Sequence, residues 1–572
     1  MFKLIIILLF GLTIAHHQSW TAIQRADSDM KITFSIILKT QNSNLLTYFL
    51  EKISDPDSEL YGQYLTLDEI GSLISIDENI RNNLDNINNM FNFDCTFLYD
   101  AYLCTSYVSN INTIFNTDLY IYENTNGRRV IRSNVNYILP NEYIKYNIVE
   151  FVEGLSNNLF PLANIKYSIN NNILVDPRYV GQESVRMMYN ITENVNSNSN
   201  IIVAAWEFME GGFVQSYVNR SQIGNGVKPK NVVVLAGSIG MDDTETELDL
   251  DEIANFGNIT VAYGDSNGWI ISGTLQIQNL TQSTRPNIVS ISYGWNVYEQ
   301  CQVITCNHTT SLQYVARADN ELKKLGLLGI SVLVSSGDAG SKGRTDEFCS
   351  TNQLNPDYPG SSPFVTSVGA TFNTLNSKKY NFTTPLCLNN SCSTCEINAT
   401  VPVSFDYVRW TTGGGFAEQN VSNWQIKYTS EYVKSGVYLP NDTWNVYGRG
   451  YPDVVMNGHN CPTFMTKFNM VDGTSCSSPM FAGFVALLNS HQVKNKQPTL
   501  GWLNPLLYKL ATNYNNIFTP SGNGHTYCTE FTCCTPNNGF QTPPKQTVWN
   551  PVYGLGQPNF GNFVDALDDI FM

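Results

Sequence analysis

The feature that most constrains the fold is a regular alternation of short apolar runs and helical patterns that begins near residue 200. The apolar runs lie at 200–205, 231–235, 259–262, 288–293 and 330–335, and helical patterns separate them, notably at 245–256 and 311–325. This alternation predicts a parallel sheet with helices on both faces. In such sheets the chemistry gathers in loops beyond the carboxyl ends of the strands.

The first residues have the pattern of a secretory signal peptide, which we place at 1–15. Lys3 precedes an apolar run from Leu4 to Ile14, and Ala15 is a small residue at the position where a signal peptide would be cleaved. No later stretch is apolar over enough residues to cross a bilayer, so we expect no membrane span and a soluble mature protein.

The net charge of −16 and the pI near 4.8 argue against nucleic acid as a partner. An acidic chain repels itself less at low pH, so we expect a secretory-pathway protein that is lysosomal or secreted.

The segment before residue 170 has the pattern of a separate mixed α/β unit, with a strand at 31–38 and a helix at 42–53. Residues 170–176 are polar and irregular, which suits either an exposed processing site or a plain linker. The glycosylation sequons lie only after this segment, which indicates two parts with different fates. They begin at Asn190, Asn219, Asn258, Asn279, Asn307, Asn381, Asn389, Asn398, Asn420 and Asn441.

Thirteen cysteines in a secreted chain predict disulfides and at least one thiol left over. The pairs Cys95/Cys104 and Cys301/Cys306 are close enough to close local loops. Longer links are open among Cys349, Cys461, Cys528, Cys533 and Cys534. No cysteine and histidine spacing matches a zinc site, since the Cys392 and Cys395 pair stands alone.

Ser475 is a candidate nucleophile. It follows Gly473-Thr474 and precedes an apolar helical pattern at 480–488, so it lies at the positive end of a helix dipole with free N–H groups nearby. The alternative is an ordinary helix N-cap.

A histidine base for this serine is missing. The six histidines include no His-Gly-Thr motif of the subtilisin kind, so carboxylates in the acidic segment 242–252 are the remaining candidates. Leu250 and Ala254 continue the helical side of Glu247 and Asp251, which predicts that this pair points inward toward the sheet. A solvated acidic face is the alternative. The two i,i+4 pairs of the segment are Glu245/Asp249 and Glu247/Asp251.

Three motifs follow one another at wide spacing: Glu247-x-x-Leu250-Asp251, Ser336-Gly337-Asp338 and Gly473-Thr474-Ser475. Together they resemble the motif set of the sedolisin (serine-carboxyl peptidase) family, and the resemblance extends over nearly the whole chain. The first unit, with 61–70, is similar to the family's pro-domain, and 449–453 with 500–508 resemble its lysosomal tripeptidyl peptidase branch. Further agreements lie at 291–294, 358–365, 413–416 and 448–453.

The resemblance implies an α/β fold, a subtilisin-like doubly wound parallel sheet preceded by an α+β pro-domain. We therefore divide the chain into a signal peptide at 1–15, a pro-domain at 16–172 and a peptidase domain at 173–572. It further implies that Ser475 attacks the scissile carbonyl, Glu247 takes its proton and Asp251 holds Glu247. Asp338 donates a hydrogen bond to the oxyanion while it is protonated, which confines the activity to acid.

Two residues depart from the family pattern, because Asp472 and Cys476 stand where small residues are usual. Asp472 places another carboxyl near the nucleophile, and Cys476 is a candidate for the unpaired thiol.

The family also binds one Ca²⁺ near its C-terminus, through two aspartates and backbone carbonyls. The matching positions are Asn516, Ile517 and Asn550, so both aspartates are replaced by asparagine, which supplies an oxygen without a charge and weakens a hard-cation site.

The resulting hypothesis is an acid-acting serine-carboxyl peptidase, made as a self-processing zymogen, that removes tripeptides from the free N-termini of polypeptides. Its own pro-domain is the expected inhibitor and chaperone. Three alternatives remain open: an endopeptidase of the same family, a catalytically silent glycosylated binding protein, and a neutral subtilisin-type enzyme that uses His459.

Overall fold

The computed structural model describes residues 20–125, 127–155, 166–168, 181–191, 198, 200–209, 211–237, 239, 243–375 and 397–571. The predicted signal peptide and the predicted processing segment 170–176 lie outside these residues. Cys387, Cys392 and Cys395 also lie outside, with the sequon residues Asn381 and Asn389. Within the described part of the chain, no helix is both long enough and apolar enough to span a membrane.

An N-terminal unit, residues 20–155, is built on an antiparallel sheet of order β3-β4-β2-β7 and a smaller sheet of order β1-β5-β6. Its core packs one face of the larger sheet, including Phe34 and Ile36, against helix residues such as Leu84 and Ile111. This confirms the separate α/β unit that the sequence predicts. Its elements are β1 (Thr21–Arg25), β2 (Lys31–Leu38), α1 (Ser43–Ser54), α2 (Leu67–Ile74), α3 (Glu78–Met90), β3 (Asp94–Phe97), β4 (Ala101–Tyr107), α4 (Val108–Ile114), β5 (Leu119–Glu123), β6 (Arg129–Ser133), α5 (Asn141–Ile144) and β7 (Val149–Glu153).

The remaining described residues form a C-terminal unit around one large sheet. Its first elements are β8 (Lys166–Tyr167), α6 (Gln182–Met188), β9 (Ile202–Phe208), α7 (Gln215–Gly224), β10 (Val233–Val234), α8 (Thr244–Ala254), β11 (Thr260–Ser266), α9 (Ile270–Asn279), β12 (Ile288–Ile291), β13 (Trp295–Asn296), α10 (Ser311–Leu327) and β14 (Ser331–Ser335). They continue with β15 (Asp357–Tyr358), β16 (Thr366–Leu375), β17 (Ile397–Pro402), α11 (Phe405–Val408), β18 (Gly415–Asn420), α12 (Ile426–Val433), β19 (Gly448–Tyr451), β20 (Val454–Asn457), β21 (Cys461–Phe464), β22 (Phe468–Asp472), α13 (Thr474–Lys494), α14 (Asn504–Asn513), β23 (Phe518–Thr519), β24 (Gln557–Pro558) and α15 (Phe560–Phe571).

The large sheet runs β10-β11-β9-β12-β14-β16, with β20 parallel and β17 antiparallel on β16. All the other pairings in it are parallel, and helices cover both faces. The doubly wound sheet that the strand and helix alternation predicts is therefore confirmed. The carboxyl ends of β9, β12 and β14 open toward the start of α8 and the start of α13.

Helix α8 is buried over its whole circumference, since every residue from Glu245 to Ala254 is buried. It packs against α13 on one side and against α7 and β21 on another. The amphipathic pattern used to choose an inward-facing pair assumes one solvent-facing side, and this helix has none.

The N-terminal unit contacts the C-terminal unit through charged groups that are themselves buried. Lys324 on α10 donates to Asp100 over 2.7 Å, and both side chains are at most 1% exposed. Glu153, at the end of β7, accepts the backbone N–H groups of Trp269 and Ser272 and so caps the start of α9. These contacts fix the N-terminal unit against the sheet.

Five disulfides are present among the described cysteines. The predicted local pairs Cys95–Cys104 and Cys301–Cys306 are confirmed. The other three lie in the C-terminal unit: Cys349–Cys534, Cys461–Cys476 and Cys528–Cys533.

Candidate active site

Ser475 lies in the first turn of α13, immediately after the strand β22 and Gly473. Its neighbours Thr474 and Cys476 are buried, whereas Ser475 itself is half-buried and so faces an opening. The apolar stretch that follows packs into the core beneath the sheet, which fixes the start of the helix. The serine is therefore held at a rigid, electropositive helix end.

Glu245, in the first turn of α8, faces Ser475, whose hydroxyl favours the charged form of the Glu245 carboxyl and so lowers its pKa. Burial raises the pKa of Glu245 to about 7, and the charges of Asp243 and Asp338 act in the same direction. The Ser475 hydroxyl and the Arg344 guanidinium oppose this rise. A carboxyl with a raised pKa beside a serine hydroxyl has the properties of a general base.

Asp249 lies one turn further along α8, on the same side as Glu245. The Ser292 hydroxyl lies 2.9 and 2.7 Å from its two oxygens. Burial raises the pKa of Asp249 well above its ordinary value, and the charges of Glu207 and Glu245 raise it further. Buried carboxyls at this proximity share a proton rather than both ionising.

Asp338 follows β14 and faces the start of α13. Its Oδ1 accepts the backbone N–H of Thr474 over 2.8 Å and the Thr474 hydroxyl over 2.7 Å. Burial would raise the pKa of Asp338, but the Lys166 ammonium and the Arg344 guanidinium lower it below its ordinary value. In this form of the chain Asp338 is therefore an ionised carboxylate.

Lys166 comes from the short strand β8, which pairs antiparallel with β22. Its Nζ lies 2.5 Å from Asp338 Oδ2 and 2.9 Å from Glu530 Oε1, and 5.7 Å from the centre of the Trp410 ring. The backbone N–H of Ser168 also donates to the Met470 carbonyl over 2.9 Å. A segment upstream of the predicted processing site thus lies along the strand that leads to Ser475.

Comparisons with known proteins agree with this geometry. The model of the "Pro-kumamolisin, activation domain" family matches residues 18–158, and the model of the "Subtilase family" matches residues 234–518. Among solved structures, Pseudomonas sedolisin, a serine-carboxyl proteinase complexed with pseudo-iodotyrostatin, superposes with a TM-score of 0.50 at 17% identity, over 68% of this chain and 98% of that one. Physarolisin of Physarum polycephalum is 31% identical over 97% of both chains. The chain belongs to the sedolisin family.

This sedolisin is therefore a serine-type, serine-carboxyl peptidase with an N-terminal activation domain. A further similar protein is tripeptidyl-peptidase 1 of Mus musculus, 27% identical over 96% of this chain and 93% of that one. The predicted fold and family are confirmed.

The structure contradicts the predicted pair Glu247 and Asp251. Glu247 Oε1 accepts the backbone N–H of Val214 over 2.7 Å, at the start of α7. Asp251 faces Ser221 on α7 and lies 3.3 Å from the Thr463 hydroxyl on β21. The error follows from the burial of α8 on every side, since apolar neighbours such as Leu250 then mark no unique inward face. The pair beside Ser475 is Glu245 and Asp249, whereas Ser475 and Asp338 are brought together as predicted.

Four further residues at the site escaped the sequence reasoning. Glu207 is the last residue but one of β9 and is fully buried near Glu245 and Asp249. Arg344 lies 3.7 Å from Asp338 and 3.4 Å from Glu530. Lys166 and Arg128 belong to segments upstream of the C-terminal unit's large sheet, and no local pattern marks them. Of these four residues, only Glu207 could have been recognised from the sequence, because it is an acidic residue at the carboxyl end of a predicted strand.

The two departures from the family pattern have defined partners. Asp472 turns to His459, whose Nδ1 lies 2.8 Å from its Oδ2, and to the Trp410 indole N–H over 3.3 Å. The prediction that Cys476 is the unpaired thiol is wrong, because Cys476 is bonded to Cys461 on β21. The disulfide ties the β21–β22 hairpin to the first turn of α13.

The residues at the predicted calcium site do not fit the ion. Asn550 Oδ1 accepts the backbone N–H groups of Val552 and Tyr553 over 3.0 and 3.2 Å, which leaves the buried Nδ2 group without an acceptor among the described residues. The carbonyls of Asn516 and Ile517 accept from an asparagine side chain and a backbone N–H downstream. Calcium requires several oxygens with carboxylate charge, and these loops close on their own hydrogen bonds instead.

Proposed function

We propose that this sedolisin is an acid-acting peptidase that removes tripeptides from the free N-termini of polypeptides and that matures by processing itself. The observation that carries the proposal is that the Ser475 hydroxyl faces the buried Glu245 carboxyl, while Asp338 accepts the Thr474 N–H at the start of α13. The similarity to tripeptidyl-peptidase 1 supports the tripeptide product.

In the proposed reaction Ser475 attacks the scissile carbonyl and Glu245 accepts its proton. Asp249 holds Glu245 and shares its proton, and the Ser292 hydroxyl fixes Asp249 in turn. The negative charge that develops on the carbonyl oxygen is stabilised by a hydrogen bond from protonated Asp338. Glu245 then returns the proton to the leaving amine, and water releases the acyl group by the same steps.

The latent chain holds these carboxyls in the wrong protonation states for this reaction. Lys166 keeps Asp338 ionised, and the Asp338 charge contributes to the raised pKa of Glu245. Removal of Lys166 takes away a cation that lowers the Asp338 pKa, so Asp338 is protonated more readily. Its protonation removes a negative charge near Glu245 and lets Glu245 ionise. The pro-segment therefore inhibits electrostatically as well as by covering the strand β22.

This mechanism places the working enzyme in an acidic compartment of the secretory pathway or outside the cell. Asp338 donates to the oxyanion only while it is protonated, so activity declines as the pH rises through its pKa in the processed enzyme. Sequons on exposed residues such as Asn258, Asn279 and Asn441 are consistent with passage through that pathway.

The maturation of the purified precursor tests the proposal. Acid incubation is expected to release a mature form that begins between residues 170 and 176, and Ser475→Ala is expected to stay intact. N-terminal sequencing and a peptidase assay provide the readout. If Ser475→Ala processes itself and cleaves peptides as well as the wild type, the serine-carboxyl reaction is excluded.

A second assay separates the exopeptidase from an endopeptidase. A peptide with a free N-terminus and the same peptide with an acetylated N-terminus are compared at acid pH, and the exopeptidase cleaves only the free form well. Equal cleavage of the two peptides would identify an endopeptidase of the same family.

A further inference from the structure

A guanidinium of the activation domain is buried in the catalytic unit, beside the proposed base. Arg128 lies at the turn between β5 and β6, and its side chain is only 5% exposed. It forms an ion pair with Asp243, two residues before Glu245. Burial opposes the charge of Arg128, yet Asp243, Tyr293, Glu207 and Asp265 together raise its pKa. The surroundings of this arginine thus form a cation-binding site.

The walls of this site belong to the catalytic unit. Glu207 on β9 and Asp265 on β11 are register partners in adjacent parallel strands, so they occupy the same level near the carboxyl edge of the sheet. Asp243 precedes the first turn of α8. We name Glu207, Asp243 and Asp265 the acidic site. The acidic site adjoins Glu245, because Asp243 lies two residues before it at the start of α8 and the charges of Glu207 and Glu245 act on each other.

Two observations besides the carboxylates point to a ligand. The first is the buried Arg128 guanidinium, which occupies the site in the precursor and which the proposed maturation would remove with the activation domain. The second is Glu207, which is fully buried although neither of its oxygens has a well-aligned hydrogen-bond donor among the described residues. The Tyr293 side chain contacts Glu207 and lowers its pKa, but burial dominates and raises it. Asp243 loses its ion-pair partner when Arg128 leaves, and a cation in the same place would restore the pair.

We propose that the acidic site binds the α-ammonium group of the substrate peptide in the position that Arg128 occupies in the latent chain. The charged end of the Arg128 side chain is buried in the site. We therefore expect the site to accept the terminal group of a ligand and not the middle of an extended peptide. An N-terminal ammonium is such an end, and it lies a fixed number of residues from the scissile bond. The inference rests on the proposed peptidase reaction at Ser475 and explains how that reaction would select free N-termini.

Kinetics of the processed enzyme on three substrates test the proposal. The substrates are a tripeptide anilide of neutral residues with a free N-terminus, its acetylated form, and an acetylated form with lysine as the first residue. For the wild type we expect kcat/KM to be at least about 10-fold higher for the free form, since a charge-assisted hydrogen bond is lost on acetylation. Asp243→Asn and Asp265→Asn are expected to reduce this ratio about 10-fold, and the exposed control Glu418→Gln to leave it unchanged.

Labelling of Ser475 by a fluorophosphonate counts the active sites of every preparation and separates the possible failures. Equal rates on the free and acetylated peptides, with Ser475 labelled, overturn the role of the acidic site and leave the peptidase standing. That role is also overturned if neither asparagine variant changes the ratio, or if the acetylated lysine peptide is cleaved as fast as the free one. Absence of both labelling and hydrolysis in the wild type overturns the proposed function itself. Because Asp265 lies on a strand and Asp243 at a helix start, a folding defect in one variant leaves the other informative.

Discussion

Lys166 and Asp338 form an ion pair across the candidate active site, with Nζ 2.5 Å from Oδ2. The two residues are separated by 172 positions in the chain, and they lie on β8, within the predicted pro-domain, and in the loop after β14. The lysine is also within hydrogen-bonding distance of Glu530, so two carboxylates hold it. This relationship links the latency of the precursor to the protonation of the residue that the proposed reaction needs in its neutral form.

Replacement of Lys166 by alanine is expected to let the precursor mature at a higher pH. In the folded precursor the pKa of Asp338 is lowered below that of an ordinary aspartate. The ionised form of Asp338 therefore stabilises the precursor above the ordinary aspartate pKa, and this stabilisation is lost as the pH falls through the pKa of Asp338 in the folded precursor. Without Lys166 the pKa of Asp338 in the folded precursor rises, so the precursor begins to lose this stabilisation at a higher pH. The rate of processing against pH, followed by gel electrophoresis, measures the shift. Lys52→Ala, at an exposed position on α1, is the control. Coincident profiles for the two variants would exclude the electrostatic lock.

Removal of the Arg128 guanidinium is expected to destabilise the precursor more than removal of the guanidinium of the next residue, Arg129. Arg128→Ala leaves buried carboxylates without their cation, which costs about 3–5 kcal/mol in a buried ion pair. Arg129 is exposed and pairs with Glu123 at the surface, so Arg129→Ala is expected to cost at most about 1 kcal/mol. Thermal unfolding of the two precursors at neutral pH, with Ser475→Ala to prevent processing, provides the comparison. Equal shifts in Tm would mean that the burial of Arg128 has no energetic consequence.

The disulfide between Cys461 and Cys476 is expected to stabilise the processed enzyme. It closes a loop of 15 residues between β21 and the first turn of α13, for which chain entropy predicts about 3 kcal/mol. The double variant Cys461→Ala/Cys476→Ala should therefore have a lower Tm in denaturation scans. Cys95→Ala/Cys104→Ala is the matched control, because that disulfide lies in the activation domain and is absent from the mature chain. A mature enzyme whose Tm is unaffected by the first pair of changes contradicts the prediction.

Calcium is expected to have no effect on the stability of this chain. The side-chain oxygen of Asn550 is engaged by two backbone N–H groups, and no carboxylate is present at positions 516, 517 or 550. Chelator and added Ca²⁺ should leave the Tm unchanged within error. Restoration of both carboxylates in Asn516→Asp/Asn550→Asp tests whether the loops retain the shape of an ion site, and a Ca²⁺-dependent rise in Tm is expected only in that variant. A fall in Tm of the wild type with chelator would show that the asparagines suffice.

The sequence predicted those features that depend on local residue patterns and on the order of strands and helices. The alternation of strands and helices predicts the parallel sheet, and the position of Asp338 after the strand at 330–335 places it at the carboxyl edge of that sheet. Ser475 follows β22, which lies outside the large sheet, and it is recognised from Gly473-Thr474-Ser475 before an apolar helix. The choice between Glu245 and Glu247 failed for a physical reason, since α8 is buried all round and its apolar residues face several partners. Only the three-dimensional contacts of α8 with α13 and with α7 distinguish the two sides.

The contributions of Arg128 and Lys166 to the site were beyond a sequence argument. Arg128 and Lys166 act on groups that lie more than 100 residues away, and each is an ordinary basic residue in its own segment. Their burial and partners follow from the packing of segments that are distant in the chain, which no local periodicity encodes. The same holds for the pairing of Cys476, because thirteen cysteines allow many connectivities and only the fold brings β21 beside α13.

The proposed reaction depends on Glu245, which faces Ser475, as its general base. The decisive comparison is kcat/KM across acid pH for Glu245→Gln and Glu247→Gln in the processed enzyme, with active sites counted by a covalent label. Loss of a general base lowers the rate about 100- to 10,000-fold, which we expect for Glu245→Gln. Glu247→Gln keeps a carbonyl oxygen for the Val214 N–H, so it should retain activity within about 3-fold of the wild type. A Glu245→Gln enzyme that remains active while Glu247→Gln is dead would contradict the assignment of Glu245.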